Sequence, residues 1–299
     1  MASRTYASPA AFKQALEQRL RAASTNGVDF SRRRQLLVFD RFLARVACTM
    51  GDAAVLKGGL VLELRLTRAR TTRDVDLRFS GSPAAILDHL QAAGRLDLGD
   101  FLTFEVRTDP THPTIRNEGL PYGGLRHRAE ARMAGRLYGQ PFAVDVAFGD
   151  PIVGAPELLT TPDLLAFAGI AAPTLRVYPI ESHIAEKLHA YSMPRKRDNT
   201  RVKDLPDLAL LGTIRELAGD RLREALDRTF QYRGTHAVPT VLPEPPESWT
   251  AVYRRMALED GLEWRDIREL MTAARAFLDP ILGGAMQLRW VPIRWRWEQ

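Results

Sequence analysis

The chain has 299 residues, of which 45% are hydrophobic and 26% charged, a balance that excludes a disordered or fibrous protein and allows a large buried core. A single cysteine, Cys48, excludes an internal disulfide, and no Cys/His cluster has the spacing of a structural zinc site. The formal charge of +6 comes chiefly from arginine and is compatible with a polyanionic partner such as RNA.

No apolar run approaches the roughly 18 residues of a membrane span, and no apolar segment follows Met1-Ala2-Ser3-Arg4-Thr5, so a cytoplasmic protein without a membrane anchor is expected. Ser8-Pro9 reads as an N-cap and first helical residue. Phe12, Leu16 and Leu20 follow at helical spacing, which predicts a surface helix over 8–24. A second helix is expected over 31–50, where Leu36, Leu37, Phe39, Phe42, Leu43, Val46 and Ala47 form a wide apolar stripe. Cys48 sits in this apolar context and is expected in the core. Arg32-Arg33-Arg34 reads either as a solvated helix end or as a phosphate-contacting patch.

The stretch from 53 to 79 carries the chemistry. Ala53-Ala54-Val55-Leu56 is a short apolar strand, and Lys57-Gly58-Gly59 allows a tight turn into a helix containing Leu60, Leu62 and Leu64. A helix that starts on glycines presents bare backbone N–H groups, where phosphate oxygens bind. Next, in Arg70-Thr71-Thr72-Arg73-Asp74-Val75-Asp76-Leu77-Arg78-Phe79, apolar residues alternate with Asp74 and Asp76. Two carboxylates therefore leave one strand face, as in a metal-chelating pair or, alternatively, a solvated pair on an exposed face.

Beyond it, Gly81-Ser82-Pro83 restarts a helix with Ile86, Leu87 and Leu90 inward, and 103–107 alternates as a strand. In Leu125 to Met133 the alternation predicts a strand with a wet, basic face. Arg126, Arg128 and Arg132 there read either as RNA contacts or as charges guarding an exposed edge. In Pro141 to Phe148, Phe142, Val144, Val146 and Phe148 fill one face. Asp145 stands alone on the other between Ala143 and Ala147, which calls for a ligated metal or a salt bridge to an arginine.

From about 155 the chain turns mainly helical. Thr161-Pro162-Asp163 is expected to cap a short helix, 175–178 to form a strand, and 180–191 a helix with Lys187 at the edge of its packed stripe. A helix over 213–230 is expected to turn Leu217, Leu222, Ala225 and Leu226 inward, with further helices over 247–258 and 264–280. The tail Arg289 to Trp297 interleaves tryptophan and arginine, which suits either base stacking or a strand that docks its indoles on the core.

The order Gly58-Gly59, helix, then R-x-[ST]-x-D-[ILV]-D resembles the polymerase-β-type nucleotidyltransferase superfamily. Glu186-Lys187-Leu188-His189-Ala190, a basic loop with Arg195-Lys196-Arg197, and Arg201-Val202-Lys203-Asp204-Leu205-Pro206-Asp207-Leu208 look most like its AbiEii/MenT branch of toxin-like enzymes. The resemblance implies an α/β (α+β) mixed-sheet core over 51–155, N-terminal helices over 1–50 packed on it, and a mainly helical lobe over 156–299 completing the site. It implies catalytic roles for Asp74, Asp76, Lys187 and Asp204. It further implies nucleotide binding by Lys57, Gly58, Gly59, Arg70, Thr72 and Lys187, and Mg²⁺ or Mn²⁺ on Asp74, Asp76 and Asp145. One departure stands out: Gly58-Gly59-Leu60 replaces the superfamily's Gly-Ser, so no hydroxyl directly follows the turn.

By that resemblance the expected function is a toxin that transfers NMP from an NTP to an RNA acceptor, the tRNA 3′ end, with a cognate antitoxin as partner. Transfer to a protein or small molecule is one alternative. A noncatalytic nucleotide-binding partner, in which the same residues form structural ion pairs, is the other.

Overall fold

The computed structural model describes residues 6–66, 72–115, 123–195 and 199–299. The chain opens with α1 (Pro9–Ala22) and α2 (Gly27–Met50). Ser8 caps α1 by accepting from the Ala11 N–H at 3.3 Å, with proline at the first helical position. Asn26 caps α2, which therefore starts four residues before the expected start at 31. Next come β1 (Ala54–Lys57), α3 (Gly58–Arg65), β2 (Asp74–Phe79), α4 (Ile86–Arg95) and β3 (Leu102–Thr108). The short β4 (Thr114–Ile115) and β6 (Arg136–Leu137) flank β5 (Gly124–Met133), and β7 (Phe142–Phe148) follows.

The main sheet closes with β8 (Glu157–Thr160) and β9 (Thr174–Val177), in the order β3-β5-β7-β2-β1-β9-β8, with β4 and β6 pairing onto β5. It is mixed: β2 runs parallel to β7, and β1 parallel to β9, while β1 and β2 are antiparallel. Alternation gives it one apolar face, carrying Val75, Leu77, Phe104, Val144 and Val146. Helix α2 covers that face, with Phe39 and Phe42 meeting the Phe142 ring edge-on at 5.1 and 5.3 Å. Cys48 is exposed, contrary to expectation. Two positions beyond Val46 is about 200° around a helix, so it faces away from the stripe of Phe42, Leu43, Val46 and Met50.

The helical lobe contains α5 (Ile180–Ser192), α6 (Asp204–Gly212), α7 (Gly219–Arg233), α8 (Trp249–Glu259) and α9 (Ile267–Leu282). A small sheet joins β10 (Leu217–Ala218) to the terminal hairpin of β11 (Arg289–Val291) and β12 (Arg296–Glu298). Leu217, expected in a helix, instead pairs with Trp290 across that sheet. The three tail tryptophans dock on the lobe: the indole N–H groups of Trp290, Trp295 and Trp297 donate to the carbonyls of Gly212, Ala273 and Phe277 at 2.7, 3.0 and 2.7 Å. Docking, the plainer of the two readings of the tail, is what the structure has. Thr161-Pro162-Asp163 leads only into a single 3₁₀ turn, Ala166–Ala168, because the Thr161 hydroxyl is drawn to Asp40 and does not cap a helix.

Two apolar clusters meet at α3. Leu60 and Val61 belong to the cluster under the sheet, and Leu62 to the one inside the helical lobe. The helix after the glycine turn is thus gripped from both sides, which fixes where its N-terminus points. Beneath the sheet, a buried ion network holds α2 to the loop before β3. Arg45 donates to Asp100 at 2.6 and 2.8 Å and to the carbonyls of Leu96 and Leu102, while Arg41 donates to Asp100 at 2.8 Å. Burial alone would raise the Asp100 carboxyl, but the two guanidinium partners hold it below its ordinary value. Replacing Asp100 with alanine strands both cations in the core. The expected cost is about 3–5 kcal/mol in urea unfolding, with Asp100→Asn costing less.

Candidate active site

Strand β1 ends at Lys57 and the chain turns on Gly58, whose φ of +72° favours glycine. A second constraint acts at the same residue: a Cβ there would collide with the Asp76 carboxylate. Helix α3 then begins with no side-chain cap and no acidic residue in its first turn, so its leading N–H groups have no competing side-chain acceptor of their own. Across the antiparallel ladder Lys57 is the register partner of Asp76, which sets the turn and the carboxylate side by side.

Asp74 and Asp76 leave the polar face of β2 together, and on the parallel neighbour Asp145 lies opposite Asp76 while Ala143 lies opposite Asp74. Among the described residues neither the Asp74 nor the Asp76 carboxylate accepts a hydrogen bond or closes an ion pair. Burial pushes the Asp76 carboxyl up to about 6, helped by the charges of Asp145 and Asp74 and opposed by Lys57 and Lys187. Asp74 is also raised, first by burial and then by Asp145, against Arg126, Lys203 and Arg73. Asp145 itself is engaged: Arg126, opposite it on β5, donates to both its oxygens at 2.7 and 2.6 Å. This is the arginine salt bridge that the lone Asp145 called for as one of its two readings.

The helical lobe supplies the cations. Lys187 on α5 donates to Asp204 at 2.9 Å and lies 2.7 Å from Asp207, both buried in the first turn of α6, and it is close enough to Asp76 to lower that carboxyl. Lys57 is held by Asp150 and by Glu186, the latter at 2.6 Å, with Arg233 3.4 Å from Glu186. Its ammonium is therefore committed to bracing the turn against α5. His183, one helical turn before Lys187, is kept neutral by burial and by that neighbouring ammonium, which push it down to about 3.

The structure thus gathers Asp74, Asp76, Lys57, Gly58, Gly59, Lys187 and Asp204 around one end of β1 and β2, with Asp145 one strand away. Thr72 is buried; its N–H donates to Glu63 at 3.2 Å, and its carbonyl accepts from Arg32 at 2.8 Å. Arg32 also pairs with Glu63 and Arg34 with Glu17, bracing α2 against α3 and α1, while Arg33 pairs with Asp29 of its own helix and is the solvated member of the run. Arg70, Thr71, Lys196 and Arg197 lie outside the described residues. Asp150, Asp207 and Arg233 were given no role from the sequence. For Asp207 the signal was present: the spacing Asp204, Asp207 puts both carboxylates on one helical face. Arg233 lies too far along the chain to carry any local signal.

The donor set suits a hard divalent cation. Two adjacent carboxylates with raised pKa and no cationic partner of their own are what such an ion would relieve. Among the described residues no three His, Cys, Asp or Glu side chains form a cage by themselves. An ion held by Asp74 and Asp76 would therefore need phosphate and water to complete its shell, as Mg²⁺ commonly does.

Comparison with known proteins gives this arrangement its class, a nucleotidyltransferase toxin. The chain belongs to the AbiEii family: the family model described as "Nucleotidyl transferase AbiEii toxin, Type IV TA system" matches residues 41–287. Among solved structures it is similar to MenT4, a nucleotidyltransferase toxin from Mycobacterium tuberculosis, at 17% identity over 95% of this chain and 92% of that one, with a TM-score of 0.54. A weaker likeness, with a TM-score of 0.43 and 15% identity over 82% of this chain and 94% of the other, is to JHP933 from Helicobacter pylori. Among curated proteins no sequence matches. The α/β mixed-sheet fold expected of the family is the one observed, and membership of a toxin-antitoxin family implies an antitoxin partner and a nucleotide substrate. Among the described residues no helix is long and apolar enough to cross a membrane.

The raised Asp76 carboxyl has a measurable consequence. A carboxyl that binds its proton more tightly in the fold than in the unfolded chain makes stability decline as pH rises from its ordinary 3.8 toward about 6, with the cost complete above that. Thermal unfolding of the metal-free protein across pH 4 to pH 7 is expected to show this decline, and Asp76→Asn to flatten it. An Asp76→Asn profile superimposable on the wild type would contradict the assignment of the shift to this residue.

Proposed function

We propose that this protein transfers the NMP unit of an NTP to the 3′ end of an RNA acceptor, with tRNA as the expected class. It would act in the cytoplasm as the toxin of a pair whose cognate antitoxin restrains it. The observation that carries the reading is the pair of unpartnered carboxylates, Asp74 and Asp76, set against the uncapped N-terminus of α3.

In this mechanism the N–H groups that follow Gly58 and Gly59 hold the triphosphate tail, with the helix dipole favouring its charge. Backbone alone suffices at this position, which accounts for a Gly-Gly turn without the serine of related sequences. Asp74 and Asp76 would hold Mg²⁺, or Mn²⁺ in its place, and Asp145 would join them as a third carboxylate when Arg126 gives it up. When bound, such an ion neutralises triphosphate charge as a Lewis acid and aligns the reacting oxygens. Lys187 directs its ammonium at the phosphates, where charge develops as the acceptor hydroxyl attacks the α-phosphorus and pyrophosphate leaves. Asp204 and Asp207 fix where Lys187 points, so Asp204 acts as an orienter. Lys57, Thr72 and Arg70 are assigned to the nucleotide side, where Lys57 and Thr72 secure the turn and the approach to β2.

The test is label transfer from α-labelled NTPs to total RNA. RNA is expected to gain label with the wild type, Asp76→Ala to abolish transfer, and Lys187→Ala to lower it by about 100-fold or more, with circular dichroism unchanged. Undiminished transfer by Asp76→Ala would refute the site. Label in a lysate protein or small-molecule fraction, with none in RNA, would refute the acceptor.

A further inference from the structure

The polar face of the sheet carries two cross-strand rows that run outward from the active site, the first ending on β5 and the second on the edge strand β3. One is Lys57, Asp76, Asp145, Arg126; the other is Asp74, Ala143, Arg128, Arg107. The triphosphate site at Gly58 lies on the β1 side of the carboxylates. The β7, β5 and β3 side is therefore left for the second substrate, and this placement rests on the function proposed above.

The arginines that β3 and β5 put on this face are not equivalent. Arg126 is tied to Asp145, Arg107 lies 3.0 Å from Glu130, and Arg132 lies 3.0 Å from Glu105. Arg128 is exposed and, among the described residues, makes no hydrogen bond or ion pair. It also faces Arg107 directly across the ladder, where the Arg107 charge is met by Glu130 and that of Arg128 is left to solvent. In the register between Arg128 and Asp74 stands the small side chain of Ala143, with the Asp145-bound Arg126 beside it and near enough to lower the Asp74 carboxyl. With strands about 4.8 Å apart, Arg128 lies roughly 10 Å from Asp74 across the sheet, the scale of one to two nucleotides of backbone.

We infer that Arg128, with Arg107 behind it, binds the phosphate backbone of the acceptor RNA just upstream of its 3′ end, and that the row Arg107–Arg128–Ala143–Asp74 is the track along which that end reaches the carboxylates. Arg132, four residues farther along β5 and opposite Thr103, lies off this row and outside the track. The partner fitted by an open, edge-facing row of guanidinium groups is a repeated phosphodiester rather than a single anion.

Filter binding of deacylated total tRNA at several salt concentrations tests this without turnover, using wild type, Arg128→Glu, Arg128→Ala and Arg132→Ala. Arg128→Glu is expected to weaken tRNA binding by about tenfold, and Arg128→Ala to reduce the salt slope by about 1. Arg132→Ala and the KM for NTP are expected to stay at wild-type values. Wild-type affinity and salt slope in Arg128→Glu would overturn the inference, as would an equal loss in Arg132→Ala, which would signify a diffuse field and not a track. If the wild type transfers label to RNA while Arg128→Glu leaves binding and RNA KM unchanged, the track fails and the transfer reading stands. If the wild type binds tRNA through Arg128 yet transfers no label, the track stands and the transfer reading fails.

Discussion

Two carboxylates on one strand face, drawn close to a third across a parallel ladder, repel one another and lose solvation as they are buried. Among the described residues no cation sits directly on Asp74 or Asp76, and burial, with the charge of the neighbouring carboxylates, raises their pKa values. Stable proteins seldom carry such unrelieved charge at a sheet surface except where a ligand completes it. Much else in the structure keeps this arrangement in place. Gly58 has no side chain because the Asp76 carboxylate occupies that space, and α3 is clamped by two apolar clusters so that its N-terminus faces the carboxylates.

Around this centre, positive charge is held in ion pairs. Lys57 is spent on Asp150 and Glu186, Lys187 is steered by Asp204 and Asp207, and Arg126 is spent on Asp145. Each pairing fixes a cation in position without placing it on Asp74 or Asp76. The helical lobe therefore contributes side chains to this cluster as well as bulk: α5 and α6 carry Lys187, Asp204 and Asp207, and the sheet carries Asp74, Asp76 and Asp145. Neither part holds the full set.

The chemistry-bearing half of β2 was legible because alternation alone fixes which face a strand residue occupies, and Gly58-Gly59 announces a turn whatever surrounds it. Lys187 and Asp204 were legible only through the order of motifs, since nothing local says that α5 approaches β2. The failures share a cause. Cys48 was placed by the apolar company it keeps in sequence, whereas burial on a helix follows angle. Leu217 satisfies a helical pattern, but its backbone is claimed by Trp290, a partner from the end of the chain. The Thr161 hydroxyl had the right spacing for a cap and was taken by Asp40. Asp145 offered a metal or an arginine as partners, and the pairing with Arg126 could be settled only once β5 was known to lie beside β7.

The central claim is that Asp74 and Asp76 bind a divalent ion together with a nucleoside triphosphate. It is tested most directly by electron paramagnetic resonance of Mn²⁺ titrated into the protein with a nonhydrolysable NTP analogue. Protein-dependent loss of the free Mn²⁺ signal is expected for the wild type and for Asp74→Asn/Asp76→Asn to abolish it while the fold is retained. Equal Mn²⁺ binding by the doubly substituted protein, beyond what the analogue alone provides, would contradict the account.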